Sequence, residues 1–429
     1  MLLQTDEHNI VFSIELLSLT TDAFTAFLLA ELLKKNESKN REYVLQKSDS
    51  HEIEIEEQKC FIRLSHDLIF RRRDKPEKLG FRCEFIEDTL LAEGSFGKVY
   101  LTTTLPINEK FFLEKRRKNK QKKRIVKVLS GELAFTKKEA ELMESLPHLH
   151  SKRMIVNQTG NKSYIVMQKL PGQDLSEVLK SLNSSIDQSI EIFFALLRAL
   201  KEQVHDKGLV HRDIKPENIM VELKPNLAPP TVNMIDYGCS IRIGGKSDVR
   251  FYGNSRYSSP EALRFETHTQ ASDIFSLGKI IYQLFSGGFQ YKIDIDGKKA
   301  DEWFKKCTEE PLDKEASEWI SHYGIGPNDN FGNETNININ HRKKLQSLIN
   351  GMLANDPDSR PNLNELMTEL QIIQKEKQKK DKQWVFLRQC VPKGILSLFT
   401  SSLSSAASKI SLTSEGTQRS FFKCNNSRF

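Results

Sequence analysis

Apolar residues along this chain change period several times, and each change predicts an element. Near the start, Leu16, Leu17, Phe24, Phe27, Leu28 and Leu32 recur at about helical spacing, with Thr21 and Asp22 placed to cap a helix. The run His51–Glu57 alternates instead, with Ile53 and Ile55 on one side and acids on the other. That is a strand with one wet face, and Phe61–Leu64 is its expected partner. Arg71–Pro76 reads as a solvated connection. Arg124–Val128 sets Lys127 among β-branched residues on a buried strand, where a lone lysine is costly unless paired. Tyr164–Leu175 reads as a strand and turn. Ile190, Phe193, Phe194, Leu197, Leu200 and Val204 follow i, i+3, i+4, i+7 and predict a long buried helix running into His205–His211.

Composition narrows the class. Apolar residues make up 38% and charged residues 28% of 429 residues, a globular core with polar extensions. The net charge of +7 fits an affinity for acidic surfaces without demanding one. The cysteines, at 60, 83, 239, 307, 390 and 424, form no closely spaced pair, which disfavours structural zinc and fits a reducing compartment. No apolar run reaches the roughly 20 residues a spanning helix needs. Asp6 and Glu7 carry the wrong sign for a secretory leader, so the expectation is a soluble, cytoplasmic protein.

Candidate chemistry concentrates in His211–Met220. Asp213 is able to accept a proton from a hydroxyl. Lys215 is able to sit against a migrating phosphoryl group, and Asn218 to offer an amide oxygen to a divalent metal. An apolar Ile219–Met220 pair then starts a strand that anchors the loop. The stretch resembles the catalytic loop H-R-D-x-K-x-x-N of eukaryotic-type serine/threonine protein kinases.

Further fragments resemble that family in the right order. Leu91–Tyr100 is similar to the glycine-rich loop, whose glycines let backbone approach phosphates. Ala92 departs from that pattern. Gly94 and Gly97 keep it, with Ser95 between, Phe96 at the tip and Val99 as an adenine roof. Lys127 resembles the phosphate-binding lysine. Its expected partner is Glu139 on the next helix, with Glu141 as competitor and Leu142, Met143 and Leu146 as the apolar face behind. Tyr164–Leu175 resembles the hinge: Met167 behind the adenine, Gln168, Lys169 and Leu170 offering backbone groups, Asp174 meeting the ribose. The resemblance also implies that Met220 contacts the nucleotide. Asp236-Tyr237-Gly238 is similar to D-F-G with tyrosine for phenylalanine. Asp236 and Asn218 are the implied metal ligands.

Residues 239–258 resemble an activation segment, with Asn254 where the family usually has a threonine that bonds the catalytic Asp and Lys; the Asn side chain is able to bridge them instead. Arg212 implies neutralisation by a phosphorylated residue, with Ser247, Tyr252, Ser255, Tyr257 and Ser258 available. Asp273 is expected to hold the catalytic-loop backbone, and Arg360 to form a buried ion pair with Glu261.

The resemblance implies an α+β, bilobal protein-kinase fold: a small β-rich N-lobe over 86–170 and a larger, mainly helical C-lobe over 171–375. Residues 1–85 read as an accessory segment or a docking module, and 376–429 as a basic, Ser-rich, disordered tail carrying one short amphipathic stretch. The implied cofactors are ATP and Mg2+, with Mn2+ as a substitute. The implied activity is γ-phosphoryl transfer to protein Ser/Thr hydroxyls, with catalytic Asp213, Lys215 and Lys127. A pseudokinase scaffold and a small-molecule kinase on the same fold are the alternatives. Lys115–Arg124 is either a solvated hairpin or a handle for acidic proteins, anionic lipid or a nuclear import receptor. It has no interleaved aromatics, which disfavours nucleic acid. Departures in several motifs, the Lys/Asn-rich composition and the atypical flanks resemble eukaryotic-like effector kinases that intracellular bacteria inject into a host cytoplasm. An ordinary cytosolic kinase is the other reading.

Overall fold

A computed structural model describes residues 3–6, 9–14, 23–37, 43–72, 81–94, 97–107, 123–130, 133–150, 154–156, 161–181, 186–225, 228–244, 251–286, 310–322 and 339–390. The chain divides into two compact units, Met1–Leu363 and Asn364–Phe429.

The first unit opens with β1 (Leu3–Asp6), β2 (Asn9–Ile14), α1 (Ala23–Glu37), β3 (Tyr43–Leu45), β4 (Ser50–Ile55), β5 (Gln58–Leu64) and β6 (Leu68–Arg72). The helical pattern holds from Ala23; its predicted start at 16–22 lies outside the described residues. A four-stranded sheet has the order β1-β2-β5-β4. β4 and β5 pair antiparallel with Ile53 opposite Cys60, as the alternation predicts. Ile53, Cys60 and Ile62 then share a core with Leu28, Leu29, Leu32 and Leu33 of α1.

Next come β7 (Phe81–Gly94), β8 (Gly97–Ile107), β9 (Arg124–Ser130), α2 (Leu133–Glu144), β10 (Ile155–Val156) and β11 (Lys162–Gln168). A seven-stranded sheet runs β10-β11-β9-β8-β7-β6-β3. It curls until β3 lies beside β10 at the opposite edge. Val44 and Ile69 on the added strands share one cluster with Val126, Ile155, Tyr164 and Val166. Tyr43, Leu45, Leu68 and Phe70 face the other way, into the core beneath α1. The first 72 residues therefore supply both faces of this sheet.

One expectation fails here. Arg71 is not part of a solvated connection: it lies in β6, 2% exposed, with Nη2 donating to Glu84 Oε1 at 3.0 Å. Thr104 donates to the other Glu84 oxygen, and Arg124 stands 3.6 Å from the first. Opposite charge with hydrogen bonds makes the burial tolerable. Arg124 is thus part of the sheet, paired with Thr102, and not of a basic handle. Lys115–Lys122 lie outside the described residues.

The helical part contains β12 (Gln173–Asp174), α3 (Leu175–Ser181), α4 (Ile186–Gln203), β13 (Leu209–Val210), β14 (Ile219–Glu222), β15 (Thr231–Met234), β16 (Ile241–Arg242), α5 (Pro260–Leu263), α6 (Gln270–Ser286), α7 (Lys314–Ser321) and α8 (Ile339–Met352). α4 buries Ile190, Phe193, Leu197 and Leu200, the stripe read from the sequence. α6 is buried along most of its length and approaches α8 at Gly278, where a Cβ would meet Met352 Cβ at 2.9 Å. β12, β14 and β15 form a three-stranded sheet that carries the catalytic-loop candidates at one end.

In the second unit, α9 (Leu363–Cys390) begins at the junction and runs through the basic stretch expected to be disordered. Residues 391–429 lie outside the described residues, as do most of 290–341.

Candidate active site

β9 holds Lys127 in an antiparallel ladder with Ile165 of β11 opposite. Its neighbours Val126 and Val128 pack into the sheet core, and Lys127 itself is 5% exposed. Such an ammonium needs partners. It has two: Glu139 Oε1 at 2.6 Å from α2, and Asp236 Oδ1 at 2.7 Å from beyond β15. The competitor Glu141 points away and meets Lys137 at 3.9 Å on the surface. Burial pulls the Lys127 ammonium down, but Asp236 and Glu139 together hold it above its ordinary value. Burial pushes Asp236 up, yet Lys127 beside it wins and its carboxyl sits below the usual range. Glu139, deeper and with Oε2 unpartnered, is raised by burial despite Lys127.

The loop after β13 brings Asp213, Lys215 and Asn218 together. Lys215 Nζ donates to Asp213 Oδ2 at 2.8 Å, and Asn218 Nδ2 to the same oxygen at 2.8 Å and to the Asp213 carbonyl at 2.9 Å. Asp213 Oδ1 is buried without a partner. Burial raises this carboxyl above the ordinary carboxylate range, with Lys215 offsetting only part. Arg212 adopts a φ of 66° and Asp236 one of 60°, left-handed conformations that non-glycine residues adopt only when their surroundings enforce them. Asp273 of α6 does so at Arg212: its carboxylate accepts the His211 N–H at 2.8 Å and the Arg212 N–H at 3.0 Å. That is the task its motif predicts. Arg360 grips Glu261 with two bonds, at 2.7 and 2.8 Å, as expected.

The hinge candidates Met167 and Gln168 close β11, and Lys169 and Leu170 follow it. Met167 is buried, and Met220 on β14 is half-buried. Lys169 differs: its N–H donates to the Lys123 carbonyl at 2.9 Å, on the β9 side. That N–H is therefore spent within the sheet and not free for an adenine edge. Asp174 accepts from Ser176 Oγ and from the Glu177 N–H at 3.1 Å, capping α3 through Oδ1. Ala92 and Gly94 lie near the end of β7, and Gly97 and Val99 at the start of β8; Ser95 and Phe96 lie outside the described residues. A Cβ on Gly94 would meet nothing within 4 Å, so the loop leaves open space there, whereas one on Gly97 would strike the Val128 carbonyl at 2.3 Å.

Tyr237 is 1% exposed, its ring 4.9 Å from the His211 ring. Its hydroxyl, the group the sequence left in need of a partner, lies 3.4 Å from both His148 Nε2 and the Gln203 carbonyl. Asn254 does not bridge Asp213 and Lys215. Its Oδ1 accepts the Arg256 N–H at 3.0 Å, a local turn. Arg212 donates to the Cys239 carbonyl at 2.5 Å and lies under the Tyr252 ring, 4.0 Å from its centroid. Of the available acceptors, Ser255, Tyr257 and Ser258 are buried, Tyr252 is half-buried, and Ser247 lies outside the described residues. Sequence reasoning left out Gln203 and His148. Their only signal was position, one beside the motif-bearing loop and the other after the glutamate helix.

Oxygen donors at Asn218 and Asp236 suit a hard cation such as Mg2+, which is typically held by one or two carboxylates, waters and substrate phosphates. Asn218 spends only its Nδ2 on Asp213, and Asp236 only Oδ1 on Lys127, so each keeps an oxygen for that purpose. Among the described residues no group of three or more His, Cys, Asp or Glu forms a self-sufficient metal cage. Asn218 and Asp236 are two oxygen donors, fewer than an octahedral Mg2+ shell requires, so other ligands would have to complete it.

A family profile described as protein kinase domain matches residues 85–371. Maternal embryonic leucine zipper kinase of Xenopus tropicalis is 27% identical over 209 residues, covering 48% of this chain and 30% of the relative. Probable serine/threonine-protein kinase 2 of Plasmodium falciparum is 26% identical over 244 residues, 57% of this chain and 45% of the relative. Human 3-phosphoinositide-dependent protein kinase 1 is 27% identical over 221 residues, 50% of this chain and 37% of the relative. The matched stretch spans less than half the length of each of these relatives.

Proposed function

This chain belongs to the protein kinase family, and from that membership we propose that it transfers the γ-phosphoryl group of ATP to serine or threonine hydroxyls of proteins. One observation carries the reading. Asp213 has one oxygen pinned by Lys215 and Asn218 and the other buried and unpartnered. A carboxylate held by one oxygen keeps the other uncommitted as a proton acceptor. The arrangement suits a base that takes the acceptor's proton as the bond to phosphorus forms.

The other residues divide the remaining work. Lys127, oriented by Glu139, binds the α- and β-phosphates. Lys215 moves from Asp213 toward the transferring group as charge develops there. Gln168 and Leu170 hold the adenine edge, Met167, Met220 and Val99 enclose its faces, and Asp174 offers Oδ2 to the ribose. Gly94 and Gly97 bring backbone N–H groups to the phosphates. Asp236 and Asn218 would hold Mg2+, or Mn2+, which when bound neutralises phosphate charge. Lys215 is the residue carried by Ser/Thr-directed members, and relatives whose names include serine/threonine-protein kinase support that choice.

The test is transfer of radiolabelled γ-phosphate to a generic basic protein, by wild type and by Asp213→Asn. Label from wild type only supports the reading. Label on tyrosine instead of serine or threonine refutes the specificity. Nucleotide binding without transfer by either form would make the chain a pseudokinase scaffold.

A further inference from the structure

β15 is the edge strand of its sheet and leads directly into Asp236. Its inner side pairs with β14, Asn233 opposite Met220. Its outer side would be bare in an ordinary edge strand. Here the Gln203 side chain covers it. Gln203 Nε2 donates to the Val232 carbonyl at 2.9 Å, and Gln203 Oε1 accepts the Met234 N–H at 2.8 Å. A primary amide offers a donor and an acceptor side by side, which matches the C=O and N–H of residues two apart on one strand edge. On the same residue, His148 Nε2 bonds the Met234 carbonyl at 2.9 Å. A carbonyl only accepts, so Nε2 carries the proton. His211 Nε2 then meets the Ile235 carbonyl at 3.2 Å, and the Ile235 N–H donates to the Asn218 carbonyl at 2.9 Å. Every backbone polar group from Met234 to Ile235 is thus held, immediately before a residue with a φ of 60°.

We infer that Gln203 and His148 are positioning residues for Asp236: they clamp the free edge of β15 and so fix where the Asp236 carboxylate stands against Lys127 and the nucleotide. This rests on the kinase reading for what Asp236 does, but the clamp itself is a property of the nucleotide-free chain. Neither residue touches the reacting atoms. A strand held on one side only would let Asp236 relax from its left-handed conformation, and the metal-bound nucleotide would have to restore it on binding.

The experiment compares wild type with Gln203→Leu, Gln203→Glu, His148→Phe and His148→Gln in two measurements. The first is hydrogen exchange of the segment 232–239 in nucleotide-free protein. The second is calorimetric affinity for Mg·ADP against ADP without metal. Gln203→Leu should speed exchange roughly tenfold and weaken Mg·ADP by a similar factor, the scale of losing two ordinary hydrogen bonds. Metal-free ADP should change little. His148→Phe keeps an aromatic against Tyr237 but loses the N–H, so it should show a smaller loss of the same kind; His148→Gln, which keeps a donor, should restore it. Exchange and Mg·ADP affinity within twofold of wild type in both Gln203→Leu and His148→Phe would overturn the inference. Should Gln203→Leu fail to fold, isosteric Gln203→Glu, which loses only the donor to Val232, decides on the same readouts. Wild type that binds no Mg·ADP would sink the kinase reading, and the exchange data would still judge the clamp.

Discussion

Lys127 and Asp236 stand 109 residues apart in sequence and 2.7 Å apart in space, with Glu139 on the other side of the ammonium at 2.6 Å. The lysine stands between two carboxylates that would otherwise repel each other in a buried place, its single charge offsetting one of the two. Lys127→Ala should therefore act twice. Breaking a buried pair typically costs about 3–5 kcal/mol, readable as a lower urea midpoint. Losing a preorganised donor at the phosphates should cut transfer roughly 10²–10³-fold. A folded Lys127→Ala protein with near-normal transfer would refute the assignment.

Asp213 gives an opposite sign for stability. Burial raises its carboxyl above the ordinary range. A carboxyl raised on folding contributes stability below its unfolded pKa, and that contribution is lost as pH rises through the folded value. At neutral pH the charged form is therefore a net cost to the fold. Asp213→Asn should abolish transfer and yet melt at the same or a higher temperature at pH 7, the gain disappearing as the pH is lowered toward the carboxylate range. A clear drop in melting temperature at pH 7 would count against it.

On the proposed role of Asp213 as base, the same shift should set the acid limb of activity. With its base raised, kcat/KM should begin to fall at a higher pH than an ordinary carboxylate would allow. An acid limb in the ordinary carboxylate range, in a pH series at constant ionic strength, would contradict this.

Arg360 and Glu261 tie distant parts of the first unit. Both are buried, and the guanidinium also donates to the Ala271, Ala354 and Asn355 carbonyls. Arg360→Ala strands the carboxylate and several carbonyls and should destabilise by about 3–5 kcal/mol. Arg360→Lys should not rescue, because an ammonium lacks the planar fork that serves these partners. Full rescue by lysine would show the charge alone to matter.

How much of this was readable beforehand depended on whether a residue's task was local to a motif. Asp213, Asn218, Asp236 and Asp273 occupy short segments whose chemistry is specified by a few neighbouring residues. Gln203 and His148 act on a strand 29 and 86 residues away, and a lone amide or imidazole carries no such local signature. Arg71 misled for a related reason. Beside Arg72 and Arg73 it reads as wet charge, and only the register of β6 with β7 turns it toward Glu84. Asn254 looked like a substitute for threonine, but its shorter route to the Arg256 N–H won. Closure of the curled sheet was invisible as well, because nothing in Tyr43–Leu45 says which edge it will join.

That closure gives the boldest prediction. A minimal kinase fragment cut near residue 81 would lack β3 and β6. The interior would lose Val44 and Ile69 beside Val126 and Val166, and the outer face would lose the cover that α1, β4 and β5 place over Cys83 and Phe85. Each buried Val, Leu, Ile or Phe contributes about 1.5–3 kcal/mol. The retained side chains that lose packing partners include Cys83, Phe85, Val126, Ile155, Tyr164 and Val166, against a net stability of about 5–15 kcal/mol for a typical domain. The unpaired edge of β7 would also invite association with other chains. The fragment 81–375 should therefore be insoluble or lack cooperative melting, whereas a chain beginning before β1 should melt cooperatively. A soluble, cooperatively melting 81–375 fragment would show the first 72 residues to be an appendage, and its Mg·ADP affinity would show whether the site needs them.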